Sequence, residues 1–362
     1  MSTITLAVSL LSPLVGGFLA RASIKLAMII GALLSAIGYF GLSSLSDFRL
    51  ALAMYVMIGA GICLLAILGP LILVNRWFIT HRAKVLSIVN LPIMMFAAPF
   101  LVAELLALYG RTTVLAAFGA LFLLIVMLLI FLIDDPAKIW QAPRGTTDRD
   151  GSVQTDFLKK SAVSRPAIMR SSRFWLLSYG IAAIAGSGVA FLVHIIPFGT
   201  GRGMTPQAAA LLLSVYAGSG IFGTLLFGWI CDRAGSQVAV FLSALIQSLL
   251  WLALLYVDNS QLLLVASVLG VCIVPMITYH GAALSELFGA AEVSRAMGYS
   301  YALKMPVLFC FPPLLGLLFQ KSGDYSLAFF TTAMIMLSAA LALFVMCLIS
   351  RSAKLKVTPL PA

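Results

Sequence analysis

The sequence predicts an all-α polytopic membrane protein whose helices form two bundles, five transmembrane helices in the first and six in the second. Three observations lead to this fold class. The composition is extremely apolar, eleven apolar segments are long enough to cross a membrane, and one short signature occurs twice.

The composition indicates that most apolar side chains face lipid or one another inside a membrane. Of 362 residues, 62% are hydrophobic and 10% charged, and the mean hydropathy is +1.10. Soluble domains have about 45–50% apolar and about 25% charged residues, so these side chains require a lipid bilayer. The net charge of +11 does not indicate nucleic acid, because the basic residues recur between apolar segments and form no single patch.

The apolar segments define the domain organisation. A five-span bundle (1–133) is followed by a flexible cytoplasmic linker (134–173), a six-span bundle (174–350) and a cytoplasmic tail (351–362). The predicted spans are 4–20, 26–46, 50–74, 86–108, 113–133, 174–199, 206–230, 238–257, 261–284, 297–319 and 326–349.

The basic residues predict the orientation. Successive loops between spans lie on opposite sides of the membrane. Sorted in this way, 18 Lys and Arg residues fall on one side and 4 on the other, and Lys304 lies inside a span. The positive-inside rule puts the rich side, with the linker and C-terminus, in the cytoplasm of a plasma or inner membrane. The N-terminus as given then faces outward.

The repeated signature indicates a duplicated half. GGFLARAS begins at Gly16, and GWICDRAG begins 212 residues later at Gly228. Arg82-Ala83 and Arg295-Ala296 repeat at an offset of 213. When the two halves are aligned at this offset, the span 206–230 matches the span 4–20, and the span 174–199 has no counterpart in the first half. We therefore expect that one N-terminal helix is missing. The alternative is a natural eleven-helix protein.

These residues resemble the major facilitator superfamily, whose loop between helices two and three reads roughly G-x-L-a-D-R-x-G-R-K. The second copy matches at Gly228, Asp232, Arg233 and Gly235. The first copy keeps Gly16, Arg21 and Lys25, but has Ala20 for the Asp and Ser23 for the second Gly. The resemblance implies a two-bundle, twelve-helix fold without helix one.

In that family the motif Asp and Arg join charge-pair and helix-dipole contacts that keep the cytoplasmic side shut. The resemblance therefore implies a gating motif at Gly16, Arg21, Gly228, Asp232, Arg233 and Gly235. Because Ala20 lacks a carboxylate, the first-half latch is expected to be weaker. Arg21 and Arg233 are also explained as simple positive-inside anchors.

Three segments are similar to the monocarboxylate-transporter and oxalate/formate-antiporter branch: RWFITHRAKVLSIV, LYGRTTVLAAFGALFLL and YSYALKMPVLFCFPPLLG. In the last segment, Lys304 falls where oxalate carriers place a substrate-binding lysine, and Tyr301 is a further substrate-binding candidate. The branch's Arg in helix eight is replaced by Thr224. The resemblance therefore implies a monocarboxylate or another small organic anion in preference to oxalate.

Lys304 also stands out by its position alone. It lies nine residues from Arg295, about 13 Å along a helix, which is near the midplane of a ~30 Å hydrocarbon core. An ammonium there must face a cavity or a partner. The alternative is a structural pair, or a hydrogen bond to carbonyls freed by Pro306.

Other polar residues inside spans are weaker candidates. Tyr279 and His194 are candidate substrate contacts, and Glu104, His194 and His280 are candidates for proton coupling. The alternative for Glu104 is a wet headgroup contact, and for His194 a neutral side chain that lines a cavity. His280 and Tyr279 either line the inner vestibule or form a hydrogen bond to a neighbour.

The leading function is a secondary transporter that moves a small organic anion by alternating access, coupled to protons or to exchange. An enzyme is not expected, because HExxH, GxSxG and P-loop motifs are absent, and no cofactor or metal is implied. The expected partners are the bilayer and a small-molecule substrate, with no nucleic acid, and a monomer. The alternatives are a transport-inactive remnant or sensor, and an exporter of a neutral or hydrophobic compound.

Overall fold

The computed structural model describes residues 2–19, 23–45, 47–144, 165–289 and 292–355. The named secondary-structure elements in these residues are helices, and the all-α fold class is confirmed. In chain order they are α1 (Ser2–Leu19), α2 (Ile24–Ser44), α3 (Phe48–Ile62), α4 (Gly69–Trp77), α5 (Arg82–Val89), α6 (Ile93–Leu129), α7 (Arg165–Arg170), α8 (Ser172–Gly201), α9 (Pro206–Ala234), α10 (Ser236–Ala253), α11 (Leu262–Ile273), α12 (Met276–Phe288), α13 (Val293–Ser322) and α14 (Ser326–Leu355). A π-helix, Cys63–Leu68, joins α3 to α4, and a 3₁₀ turn, Pro136–Ile139, follows α6.

Nine helical segments of the described residues are long and apolar enough to span a membrane. They match nine predicted spans and are Ile24–Ser44, Phe48–Trp77, Leu105–Leu129, Ser172–Gly201, Pro206–Ala234, Ser236–Ala253, Leu262–Phe288, Val293–Ser322 and Ser326–Ser350. The predicted span 4–20 coincides with α1, whose apolar part is the shorter Leu10–Leu19.

The predicted span 86–108 is wrong as a single helix. Helix α5 ends at Val89, and the chain is helical again from Ile93. Pro92 lies between them and has no amide hydrogen with which to continue the helical ladder. The predicted gap between the spans 86–108 and 113–133 coincides with a kink in α6, because Gly110 adopts φ 75°, a conformation that glycine reaches without strain.

Two further spans contain irregular backbone. The predicted span 50–74 includes the π-helix, and the predicted span 261–284 is broken between α11 and α12 at Pro275. Proline removes one backbone donor from the helical ladder, and such irregular turns inside membrane helices are tolerated where neighbouring groups take up the freed carbonyls.

The helices form two compact units. Unit 1 comprises Met1–Arg82, Ala97–Arg165 and Phe288–Met305, and unit 2 comprises Ala83–Phe96, Pro166–Leu287 and Pro306–Ala362. Each unit therefore takes a short segment from the other half of the sequence, and α13 passes from unit 1 to unit 2 after Met305. The division into domains at 133 and 174 stays a prediction.

Unit 1 packs through small residues. A side chain at Gly61 would meet Ser35 and the carbonyl of Gly31, so α2 and α3 touch backbone to backbone. Helices associate in lipid through close approach of this kind, because the hydrophobic effect does not favour contact between helices there. On α1, the Ser12 hydroxyl donates to the carbonyl of Gly298 at 2.8 Å, which ties α1 to the first half of α13.

The end of unit 1 near the linker is held by a buried carboxylate. Asp134, 1% exposed, accepts from the Ser23 hydroxyl at 2.9 Å and the Lys25 amide at 3.3 Å, both at the start of α2. The Lys138 ammonium completes the cluster at 2.6 Å. Burial alone would raise the pKa of Asp134, but these hydrogen bonds outweigh it and lower the pKa to about 2. The predicted flexible linker therefore begins with residues fixed to the bundle.

In unit 2, α9 and α11 cross at Gly270, where a side chain would collide with the backbone carbonyl of Tyr216. We expect Gly270→Ala to lower the unfolding free energy by about 1–3 kcal/mol, because backbone on the partner helix cannot move aside as a flexible side chain can. Thermal unfolding in detergent measures the effect. The matched control is Gly201→Ala, where the added carbon meets nothing within 4 Å. Equal midpoints for the two variants would contradict the prediction.

The Asp134 cluster generates a pH prediction. A depressed carboxyl pKa stabilises the fold above the unfolded value of about 4, and this stability is lost as pH falls through the folded pKa of about 2. Asp134→Asn should therefore unfold at a lower temperature than the wild type at pH 6, and the difference should shrink as pH falls from about 4 to about 2. A difference that stays constant across this window would show that Asp134 is not the titrating group.

Candidate functional site

The strongest sequence candidate lies on the first half of α13, inside unit 1. Lys304 is 2% exposed, nine residues after Arg295, which is at the start of the helix. The predicted intramembrane lysine is therefore buried within the protein, where an ammonium is stable when other groups compensate its charge.

Tyr301 provides the contact that the structure gives to this ammonium. Lys304 Nζ lies 3.4 Å from the centroid of the Tyr301 ring, three residues earlier on the same helix face. Tyr301 is itself 6% exposed. An aromatic face attracts a cation by roughly 0.5–2 kcal/mol, the higher value applying to desolvated pairs. The structure thus brings two predicted site residues together.

This aromatic contact does not neutralise the charge. No carboxylate among the described residues lies within 4.0 Å of Lys304 Nζ. The acidic residue at the start of α13, Glu292, pairs with Arg295 at 2.9 Å. The Glu104 side chain lies outside the described part of the structure, and its coupling role stays a prediction. Lys304 is therefore buried without a carboxylate partner among the described residues, and its role in anion binding stays a prediction.

Unit 1 also contains irregular backbone. The π-helix Cys63–Leu68 belongs to the same unit as Tyr301 and Lys304. Single π-helical turns inside α-helices occur frequently at functional sites. The π-helix was not predicted from the sequence, although Pro70, just after it, lacks the amide that would continue a regular helix there.

The first copy of the repeated signature lets α1 approach α13. A side chain at Gly16 would collide with the carbonyl of Ser294, so the glycine is required by close packing within unit 1. Arg21 and Ala20 lie outside the described residues, and the latch role of Arg21 stays a prediction.

The second copy of the signature, at the end of α9, contacts the start of α5 within unit 2. Asp232 at the end of α9 accepts from the amides of Ala83 and Lys84, each at 3.3 Å. These amides belong to the first turn of α5, whose donors have no intrahelical partner. Beside them, a side chain at Gly228 would lie 2.6 Å from Ser87 Oγ. The carboxylate therefore caps a helix from a distant part of the sequence.

The remaining motif residues have local roles. The Arg233 guanidinium lies 5.1 Å above the Trp229 ring, one turn earlier on α9. Gly235 has φ 94° at the junction of α9 and α10, a conformation that favours glycine. An exposed Arg over a Trp at a helix end is typical of an interfacial anchor, the alternative considered for Arg233.

His194 on α8 is hydrogen-bonded through both ring nitrogens within unit 2. Nε2 lies 3.0 Å from the carbonyl of Pro312, and Nδ1 lies 3.3 Å from the Tyr325 hydroxyl. Because a carbonyl can only accept, Nε2 carries the proton and Nδ1 accepts from Tyr325 in the neutral state. His194 thereby bridges α8 to the proline-rich part of α13.

Tyr279 belongs to a buried polar network at the break between α11 and α12. Its hydroxyl donates to the carbonyl of Cys272 at 3.0 Å and lies 3.1 Å from Ser243 Oγ. Gln247 donates to the same Ser243 at 2.8 Å, and Ser187 donates to Gln247 at 2.9 Å. Tyr279 is 0% exposed, so its hydroxyl serves the helix break in this conformation, and substrate contact stays a prediction. Gln247 was not among the residues predicted from the sequence.

The other unit 2 candidates are enclosed. Thr224 is 1% exposed, and its hydroxyl donates to the carbonyl of Gly220 on its own helix at 2.7 Å. His280 is 0% exposed on α12. Neither residue presents a free surface to a ligand in this conformation, and both predicted roles remain predictions.

The cap on α5 generates a prediction. Asp232→Ala should destabilise the protein by about 0.5–2 kcal/mol and speed hydrogen exchange in peptides covering 82–89, because two amides lose their acceptor. Asp232→Asn, which keeps one acceptor oxygen, should have a smaller effect. Asp258→Ala, in the exposed turn between α10 and α11, is the control. Unchanged exchange over 82–89 in Asp232→Ala would contradict the cap.

Comparison with solved structures identifies the fold. A crystal structure of the E. coli fucose:proton symporter FucP superposes with a TM-score of 0.74 over 95% of this chain and 89% of that chain, at 14% identity. A structure of the human organic anion transporter MFSD10 (TETRAN) gives a TM-score of 0.69 over 94% of this chain and 82% of that chain, at 16% identity. At these identities the likeness concerns the fold.

Sequence relatives point to one branch. Human monocarboxylate transporter 12 is 27% identical over 194 residues, which are 51% of this chain and 36% of the relative. Human monocarboxylate transporter 10 is 24% identical over 336 residues, 88% of this chain and 63% of the relative. The chain thus spans less than two thirds of the length of either.

The family model described as Major Facilitator Superfamily matches residues 1–260 and again residues 176–362, which together include every residue described above. With nine apolar helices of spanning length in the described residues, this match makes the protein a multi-pass membrane protein. The resemblance seen in the two signatures is confirmed, and the chain belongs to the major facilitator superfamily.

Proposed function

We propose that the protein is a secondary transporter of a small organic anion and that Lys304 binds the anionic group. One observation carries this proposal: an ammonium buried on the Tyr301 ring, with no carboxylate among the described residues within ion-pairing distance. An anionic substrate would supply the missing charge and would displace no internal ion pair.

The relatives support this substrate class. Two of them carry the name monocarboxylate transporter, and one structural neighbour is described as an organic anion transporter. Lys304 is the single buried Lys or Arg among the described residues. This favours a monoanion, because a second carboxylate desolvated beside Lys304 would lack its own compensating charge. Thr224, which stands where the branch has a second cation, bonds its own helix and offers no charge.

Coupling to protons is part of the proposal, with alternating access as its mechanism. His194 is the coupling candidate with the clearest geometry. Protonation at Nδ1 would turn that nitrogen into a donor and would require the Tyr325 hydroxyl to become the acceptor. The Pro312 carbonyl keeps its hydrogen bond in both states. A plasma or inner membrane location, with the linker inside, follows from the positive-inside pattern.

An open groove in unit 2 favours a second candidate, the carriage of a neutral or hydrophobic compound. The groove measures about 640 Å³ and lies among α8, α13 and α14. Its lining is largely apolar and consists of Tyr179, Ala183, Val307, Phe309, Cys310, Phe311, Pro313, Leu314, Leu317 and Ile335. Transport of such a compound would not depend on Lys304.

The test is uptake of labelled lactate, pyruvate, formate and oxalate into proteoliposomes. We expect Lys304→Gln to reduce uptake of a monoanion at least about tenfold, because a charge-assisted contact of about 1.5–3 kcal/mol is lost. Lys321→Gln, at the exposed end of the same helix, is the matched control and should transport normally.

A second pair of variants tests the aromatic contact. Tyr301→Phe keeps the ring beneath the ammonium and should retain most uptake, whereas Tyr301→Leu should lose it. Equal uptake by wild type and Lys304→Gln would remove the anion site. A correctly inserted wild type that carries none of the four anions would contradict the substrate class.

A further inference from the structure

A small polar pocket lies at one end of unit 2, where four helices meet. It is partly open and measures about 90 Å³ between the end of α9, the start of α10, and the C-terminal parts of α12 and α14. Its lining residues are Ala234, Gly235, Gln237, Val238, Glu286, Cys347 and Ser350. The positive-inside pattern predicts that this end faces the cytoplasm.

Two oxygens in the pocket lining are buried without a hydrogen-bond partner among the described residues. They are Oε1 of Gln237 and Oγ of Ser350, on side chains that are each 7% exposed. Leaving a buried polar atom unsatisfied costs about 1–3 kcal/mol, so such atoms in a native fold require an explanation. Both oxygens can accept a donor or coordinate a cation.

A carboxylate supplies negative charge to the same pocket. Glu286 at the end of α12 accepts through Oε2 from the Ser236 amide, at 3.2 Å, and from the Ser236 hydroxyl. Glu286 thus closes the first turn of α10 and also contributes to the pocket wall. The start of α10 and the end of α9 meet here, so their opposite helix dipoles largely offset each other.

The equivalent place in unit 1 shows what completes such a site. There, the start of α2 is closed by Asp134, and the Lys138 ammonium lies 2.6 Å from that carboxylate. At the spacing of the repeated signature, Lys25 in α2 corresponds to Gln237 in α10. Lys25, whose ammonium donates to the carbonyl of Ile130, four residues before Asp134, is therefore replaced in the second half by a neutral side chain whose oxygen has no partner among the described residues.

We propose that this pocket binds a monovalent alkali cation, with Glu286, Gln237 Oε1 and Ser350 Oγ as ligands. The two unpartnered oxygens are neutral and lie beside one carboxylate, a ligand set that suits a weakly charged cation, whereas Ca²⁺ and Mg²⁺ favour sites with more carboxylates or waters. Among the described residues, no group of three His, Cys, Asp or Glu lies close enough to hold a transition metal. The bound ion would join α10, α12 and α14 at this end of unit 2.

The test uses the full chain, purified in detergent, and thermal unfolding in NaCl, KCl or LiCl against N-methyl-D-glucamine chloride at equal ionic strength. We expect at least one alkali chloride to raise the wild-type midpoint by about 2–4 °C, as selective binding to the folded state requires. Gln237→Leu and Ser350→Ala should each lose most of this rise. Leu341→Ala, at an exposed position on α14, should keep it.

Gln237→Lys makes the test specific, because it places an ammonium where the first half has Lys25. This variant should be insensitive to the choice of cation and at least as stable as the wild type in the organic salt. Identical wild-type midpoints in all four salts would overturn the proposal. So would an undiminished alkali response in both Gln237→Leu and Gln237→Lys.

Discussion

The constraint on which this fold depends is that an apolar helix bundle must satisfy its polar groups from within. The structure meets it most visibly where helices begin or break. Asp134 closes the start of α2, Asp232 the start of α5, and Glu286 the start of α10. At the break before α12, hydroxyls of Ser243 and Tyr279 take up the Cys272 carbonyl. Lys304 differs from these groups, because no carboxylate among the described residues pairs with its ammonium.

The sequence predicted the helices well, because apolar length is a property of each segment alone. It placed nine spans correctly, and its gap between two spans coincides with the kink at Gly110. It failed where neighbouring helices decide the backbone: the interruption at Pro92 and the π-helix beginning at Cys63. Both failures involve a proline next to an apolar run, where hydropathy stays high although the hydrogen-bond ladder is interrupted.

The candidate site could be predicted in part for the same reason. Lys304 was predicted from its position inside a span, and Tyr301 lies three residues earlier on the same helix, where this spacing brings the two side chains into contact. The surroundings of Tyr279 could not be foreseen, since Gln247, Ser243 and the Cys272 carbonyl come from other helices. Sequence alone does not show which helix faces meet. For that reason a tyrosine assigned to substrate is seen here to support a helix break.

The two copies of the signature show how a duplicated unit diverges under this constraint. In the second copy, Asp232 reaches across to cap α5, and Gly228 lets α9 approach Ser87. In the first copy, Gly16 keeps the close approach to Ser294, but Ala20 cannot accept a hydrogen bond. The helix that begins there, α13, has its acidic residue immediately before it instead, in Glu292, which binds Arg295. Both copies therefore keep the close helix packing at their glycine. The carboxylate at the start of α5 comes from Asp232 on α9, whereas the carboxylate at the start of α13 comes from Glu292, the residue just before that helix. The asymmetry leaves α13, the helix that carries Lys304, with an N-terminal charge pair of its own.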